Sequence, residues 1–382
     1  MNVADSPSSS IPVSVLTGFL GSGKTTVLNH LVCSPEMRRA LVIINEFGAI
    51  SLDHDLIVRT DEDLVVELMG GCLCCAIRGD LLETLLDAPQ RFVTREGACA
   101  FDRVVIETTG LADPAPILHT LMSDERLAAQ YRLDGVIATV DAAVGAATLD
   151  THEEALKQAA VADRILLTKT DLISGDDRLL IERRLYAINP AAPVFVVLNG
   201  EVDAAALFNA GLYDPSTKSN DVQRWLRAEA YEDGLHRYGH AAHEPTHRHD
   251  VNRHDDRIRA TCLTFDEPLD AGRFNRWLGI LTKFRGPDVL RVKGILNLAE
   301  SDKPIVIHGV QHLLHPPVML DRWPSADRRT KLVFITRDIS DKELRDTLVL
   351  LTVGLDRHGI QGYAGNGPEG AVAQALPAQI AS

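Results

Sequence analysis

The sequence predicts an α/β fold: a P-loop, doubly wound, mostly parallel sheet followed by a smaller α+β C-terminal domain. Three observations carry this expectation. Gly18-Phe19-Leu20-Gly21-Ser22-Gly23-Lys24-Thr25 follows a β-branched run at 11–16 and leads into a helical pattern, the strand, glycine loop, helix order that a phosphate-binding loop requires. Apolar runs recur at 12–17, 41–45, 103–107, 135–140, 164–168 and 194–198, with helix-period stretches at 79–88, 114–122, 152–160 and 176–187. Composition then shifts after about residue 214, and a different order of runs begins at Ile258.

The loop comes first. Its glycines let successive backbone N–H groups turn toward phosphate oxygens, and the following helix start adds the positive end of its dipole. Gly18, Gly21, Ser22, Gly23, Lys24, Thr25 and Thr26 are therefore the candidate nucleotide ligands. Lys24 is expected on the β/γ-phosphates and Thr25 on Mg²⁺.

The run at 103–107 ends in Glu107-Thr108-Thr109-Gly110. A buried strand there delivers Glu107 to the carboxyl edge of the sheet, where a second carboxylate near Mg²⁺ belongs. Gly110 suits a backbone N–H approaching the γ-phosphate, which would make 107–114 a switch. An ordinary strand ending in a capping turn is the plainer reading, and the loop at 18–25 tips the balance.

The run at 164–168 ends in Thr168-Lys169-Thr170-Asp171. The Asp171 carboxylate at that edge would accept N1–H and the N2 amine of guanine, a pair that adenine lacks. The stem of Lys169 would pack on the base or on the phosphate loop. A surface turn is the plainer reading of these four residues alone, but at a strand end following the phosphate loop they favour guanine, so the nucleotide expected is GTP.

Between a strand candidate at 64–68 and a helix start near Asp80 lies Gly70-Gly71-Cys72-Leu73-Cys74-Cys75. In an extended segment Cys72 and Cys74 share a face, whereas in a helix Cys72 and Cys75 pair. All three reach one ion only through an irregular turn, which the two glycines permit. A nearby helix start favours thiolate. Thiolates select Zn²⁺ or Cu(I), with Co²⁺ less specific, and two or three sulfurs leave tetrahedral zinc short of ligands. Buried free cysteines and a redox pair are the alternatives.

Five segments organise the chain: an N-terminal stretch at 1–10, a nucleotide domain at 11–214, a linker with a histidine-rich segment at 215–257, a C-terminal domain at 258–354 and a tail at 355–382. In the C-terminal domain, apolar runs at 259–265, 289–298, 304–314 and 331–336 surround helix candidates at 270–284 and 340–353. A short helix is expected around Trp225. His236, His240 and His243 have helical spacing, and His247, His249 and His254 follow; a solvated linker and weak zinc recruitment both fit. His308, His312 and His315 read as structural.

The formal charge of −14 argues against general binding to nucleic acid or anionic membranes. No apolar run reaches membrane-spanning length and the N-terminus lacks signal-peptide character, so a cytoplasmic location is expected. Oligomeric state is left open.

Taken together, Thr17 to Thr26, Asn45-Glu46-Phe47-Gly48, Gly71 to Cys75 and Glu107 to Pro114 resemble the CobW-type metallochaperone GTPases. Arg291-Val292-Lys293-Gly294 and Gly309-Val310-Gln311 look like that family's C-terminal domain. The resemblance covers roughly 11 to 350. Members are related to the urease and hydrogenase nickel-insertion GTPases and are implicated in zinc, cobalt or iron delivery. It implies that Lys24 and Thr25 bind phosphate and Mg²⁺, and that Thr168 to Asp171 read guanine. It further implies that Cys72, Cys74 and Cys75 hold the transferred metal and that Asn45 to Asp53 form the first switch, with Asp53 near the triphosphate. Some relatives carry an acidic residue directly after Asn-Glu-Phe-Gly; here Ala49 stands there, so no ligand comes from that position.

The function expected is GTP-gated delivery of a metal, zinc first, to a client metalloprotein. No glutamine or arginine finger is evident, which predicts slow intrinsic GTP hydrolysis. Insertion of cobalt or iron is an alternative cargo. A GTP-modulated metal buffer or sensor without transfer is an alternative of another class, and a small-molecule kinase is disfavoured by the cysteine loop.

Overall fold

The computed structural model describes residues 10–45, 64–67, 76–95, 97–208, 257–315 and 317–352. Asp53, the three clustered cysteines, the helix candidate around Trp225 and the histidine-rich segment lie outside the described residues. The chain forms two compact units, the first made up mainly of residues before 214 and the second mainly of residues after it, with Leu185–Ala191 grouped with the second.

In the first unit the chain runs β1 (Ile11–Gly18), α1 (Lys24–Val32), β2 (Ala40–Asn45), β3 (Leu64–Glu67), α2 (Ala76–Arg91), β4 (Arg103–Thr108), α3 (Ala115–Ser123) and α4 (Glu125–Gln130). It continues through β5 (Tyr131–Asp141), α5 (Gly145–Thr151), α6 (Glu153–Val161), β6 (Arg164–Thr168), α7 (Gly175–Ile188), β7 (Val194–Val197) and α8 (Ala204–Leu207). Seven strands form one sheet in the order β3-β2-β4-β1-β5-β6-β7, and every pairing is parallel. The uninterrupted apolar runs follow from burial on both faces. Val27, Leu28 and Leu31 of α1 and Ala204 and Leu207 of α8 cover one face, packing on Leu16, Val105, Ile137, Leu166 and Val197. Helices α3, α4 and α6 lie along β5, and the alternate residues Val13, Val15, Ile106, Val136 and Ala138 are also fully buried. The doubly wound expectation holds. With β1 central and all strands parallel, the loops after β1, β4 and β6 emerge at the same edge.

The second unit has β8 (Ile258–Phe265), α9 (Ala271–Arg285), β9 (Val289–Leu296), β10 (Ile305–Val310), β11 (Leu313–Leu314), β12 (Val318–Met319), β13 (Thr330–Arg337), α10 (Asp341–Asp346) and α11 (Val349–Thr352). Its sheet is antiparallel, in the order β11-β10-β9-β13-β8 with β12 beside β10. Helix α9 lays Phe274, Trp277, Leu278 and Leu281 on Val292, Leu332 and Phe334, and Trp277 meets Phe334 edge to face at 5.9 Å.

Two expectations for this unit are corrected. The apolar run 304–314 is not one strand: Gln311 takes φ 55 and the chain folds back, pairing Val310 with Leu313. The helix expected at 340–353 is two. Thr347 N–H is shared between the carbonyls of Glu343 and Leu344, its hydroxyl turns back onto Leu344 O, and Trp277 Nε1 donates to that hydroxyl at 2.9 Å. A side-chain contact from α9 thus sits where the helix breaks. His308 and His315 are buried with rings 4.1 Å apart, as expected of structural residues, while His312 is exposed on the hairpin turn.

Candidate nucleotide site

The phosphate loop is shaped by three left-handed glycines, Gly18 (φ 146), Gly21 (φ 70) and Gly23 (φ 93). At Gly18 space is also decisive: a Cβ would stand 2.1 Å from Thr139 Oγ1 and 2.6 Å from Thr139 O. Ser22 Oγ donates to Phe19 O or shares a proton with Thr139 Oγ1, both at 2.7 Å, so the loop is stitched to the end of β5. Gly23 is the N-cap of α1 and no side chain caps that helix. Its first-turn N–H groups and dipole end are therefore directed at the loop, as an anion site requires. The Lys24 ammonium is buried and donates to Gly18 O at 3.0 Å and Phe19 O at 3.3 Å.

Parallel pairing of β1 with β4 sets Leu16 beside Glu107. Glu107, 2% exposed, accepts from the Thr25 hydroxyl at 3.3 Å, and the Thr108 hydroxyl donates to Thr17 Oγ1 at 2.9 Å. The strand end and the first turn of α1 thereby converge on one oxygen-rich spot.

Beyond β4, Ala112 N–H donates to Thr109 O and closes a turn around Gly110. A Cβ on Gly110 would lie 2.7 Å from the backbone nitrogen of Leu20, so the turn rests directly on the phosphate loop.

At the end of β6, the Thr168 hydroxyl donates to Ser22 O at 2.8 Å. Lys169 takes φ 55, which turns its ammonium back to Gly21 O at 2.7 Å and Asp141 Oδ2 at 2.6 Å. Asp171 follows, exposed, in a single 3-10 turn at Thr170–Leu172. The loop after β7 closes the same side: Gly200 (φ 82) abuts Thr26, where a Cβ would be 2.5 Å from the carbonyl oxygen.

Against known proteins, residues 12–196 match the family described as CobW/HypB/UreG, nucleotide-binding domain, and residues 258–351 match the cobalamin synthesis protein cobW C-terminal domain. The zinc chaperone YjiA of Escherichia coli is 34% identical over 88% of this chain and 96% of its own. The chain belongs to the CobW family. The zinc chaperone CobW of a Sinorhizobium species is 28% identical over 92% of this chain and 100% of its own. A crystal structure of Zn(II)-bound YjiA GTPase from E. coli covers 90% of this chain and 99% of that one at TM-score 0.65 and 30% identity.

The first unit of this CobW-family protein is thus a P-loop GTPase by fold and motif. Of the residues singled out in the sequence, Gly18 to Thr26, Glu107, Gly110, Thr168, Lys169 and Asp171 gather at one edge of the sheet. Sequence reasoning missed Thr139, Asp141 and Gln158. Asp141 was visible as a carboxylate ending an apolar run, and Gln158 as a polar residue among Ala155, Leu156 and Ala159 on an apolar helix face.

The donor set fits the groups the family implies. The Thr25 hydroxyl and the Glu107 carboxylate are hard oxygen donors suited to Mg²⁺, and the glycine cradle with the uncapped α1 suits a triphosphate. Among the described residues, no group of three or more His, Cys, Asp or Glu is placed to hold a metal ion. Among them, too, no helix is long and apolar enough to cross a membrane.

Proposed function

We propose that this CobW-family protein hydrolyses GTP and uses the cycle to bind and deliver Zn²⁺ to a client metalloprotein. The observation that carries the reading is the meeting of Thr25 and Glu107 beside an uncapped helix start, within a loop clamped by Lys169. The names of relatives supply the cargo: zinc chaperones in two bacteria, and a zinc-regulated GTPase metalloprotein activator in Dictyostelium discoideum, 28% identical over 87% of this chain.

In this reading GTP is the substrate. Backbone N–H groups of the loop and Lys24 hold its phosphates, and Asp171 accepts the two guanine donors. The Gly110 N–H serves the γ-phosphate, and Asp53 lies near the triphosphate. Thr25 and Glu107 would hold Mg²⁺, which would supply positive charge against the charge developing on the phosphates. In this reading turnover is slow on its own and a client accelerates it.

Cys72, Cys74 and Cys75 lie in sequence between 45–53 and 107–114, the two segments this reading assigns as switches. Reordering those segments on hydrolysis changes the geometry of the thiolates between them. A hundredfold change in metal affinity requires about 2.7 kcal/mol of differential binding between the two nucleotide states.

The test is a titration of metal-free protein with Zn²⁺ and Co²⁺ against a chromophoric chelator, with a GTP analogue or GDP bound. Nucleotide-dependent affinity that vanishes in the Cys72/Cys74/Cys75→Ser variant supports the carrier. Affinity indifferent to nucleotide, or surviving loss of the thiols, overturns the coupling.

A further inference from the structure

Helix α6 touches both the phosphate loop and the turn that follows β4. At its N-cap, His152 stacks on Phe19 with ring centroids 4.4 Å apart. Further along, Lys157 pairs with Asp113 at 3.2 Å. The next residue, Gln158, is 1% exposed, and its Nε2 donates to Gly110 O at 3.2 Å and to Ala112 O at 2.9 Å. Chemistry sets the orientation of this amide, since the opposite flip would turn its oxygen on two carbonyl oxygens. Its Oε1 has no partner among the described residues, and the side chain lines a small, partly open cleft shared with Phe19, Leu20, Thr139 and Asp141.

On its other side the turn has no slack. Gly110 rests on Leu20 so closely that a Cβ would fall 2.7 Å from the Leu20 nitrogen. The segment Gly110–Ala112 is therefore held between α6 and the phosphate loop. Because each peptide unit is planar and trans, orienting the carbonyls of Gly110 and Ala112 also orients the N–H groups of Leu111 and Asp113.

We propose that Gln158 is a positioning residue for GTP hydrolysis, holding the backbone of Gly110–Ala112 against the phosphate loop. This rests on the reading of the site as a GTPase. Gln158 acts through Gly110 and touches no substrate atom. A buried residue that only packed α6 would need no amide, whereas here both donor hydrogens go to the one turn expected to meet the γ-phosphate.

The test compares Gln158→Leu, which keeps bulk without the amide, and Gln158→Glu, which keeps the shape but replaces the donor. Steady-state GTP hydrolysis, affinity for a fluorescent GDP analogue and hydrogen exchange at 109–113 are measured on the full chain. Both variants should lower kcat about tenfold or more, with KM and GDP affinity within about threefold, since displacement of a reacting-site group costs rate more than binding. Exchange at 109–113 should quicken while that of β1 and α1 is unchanged. An unaltered kcat overturns the proposal. So does loss of kcat and GDP affinity together with faster exchange throughout the unit, which marks a merely structural role. If wild-type protein shows no GTP turnover, the parent reading fails in its own control, and the positioning role falls with it.

Discussion

The Lys169 ammonium donates to the carbonyl of Gly21 at 2.7 Å, which ties the carboxyl end of β6 to the phosphate loop. The left-handed backbone at Lys169 makes this reach possible, and Asp141 holds the ammonium from the other side at 2.6 Å. The strand end expected to read the base therefore also braces the phosphate cradle. Lys169→Met should weaken GDP binding about tenfold or more, because a hydrogen bond from a charged donor contributes about 1.5–3 kcal/mol. Asp141→Asn should weaken it less. Titration with a fluorescent GDP analogue decides; affinity of the lysine variant within twofold of wild type would refute the brace.

Thr25 and Glu107 meet at 3.3 Å where Mg²⁺ is proposed to bind. Glu107→Gln keeps a hydrogen-bond acceptor for Thr25 but removes the charge. Hydrolysis at saturating Mg²⁺ should fall about a hundredfold, in the range seen when one electrostatic contact to a transition state is lost. GDP binding in chelator should be unchanged. Equal loss of both would assign Glu107 to folding of the loop instead.

Gly18→Ala forces a methyl group onto Thr139, with Oγ1 2.1 Å away. The left-handed φ of 146 adds backbone strain. The variant should lose about 2 kcal/mol or more of stability, read as a lower melting temperature of the nucleotide-free protein. Gly21→Ala has open space around its Cβ and only the backbone strain, so it should melt higher than Gly18→Ala.

In the second unit, hydrogen bonds from Arg329 and Lys331 hold the Asp327 carboxyl well below the usual carboxylate range. A carboxyl depressed in the folded state contributes stability above its unfolded value, near pH 4, and loses that contribution as pH falls further. The pairs are near the surface, so the contribution is about 1 kcal/mol or less. Asp327→Asn should lower the urea midpoint reported by tryptophan fluorescence at pH 7, and the difference from wild type should shrink at pH 3. A difference that persisted at pH 3 would point to packing rather than charge.

The readings that held from sequence were local ones. Glycine placement at 18, 21 and 23 and the apolar runs on either side are set by neighbours in the chain, and the strands fall where the runs do. The failures came where a distant residue intervenes. Nothing within 340–353 foretells the break at Thr347, because Trp277, 70 positions earlier, takes its hydroxyl. The fold-back at Gln311 likewise shows only in its φ and in the pairing of Val310 with Leu313.

Residue order alone is enough for a phosphate loop at 18–25, an α/β unit followed by an α+β one, and carboxylates at the ends of apolar strands, since periodicity and turn chemistry act over a few residues. Which side chains meet is another matter. Gln158 reaches Gly110 across 48 positions and Lys169 reaches Asp141 across 28. Those meetings depend on strand order and register, which place β4, β1, β5 and β6 side by side and α6 beneath the turn after β4. Burial then makes them count, because a carbonyl withdrawn from water must find its donor within the fold.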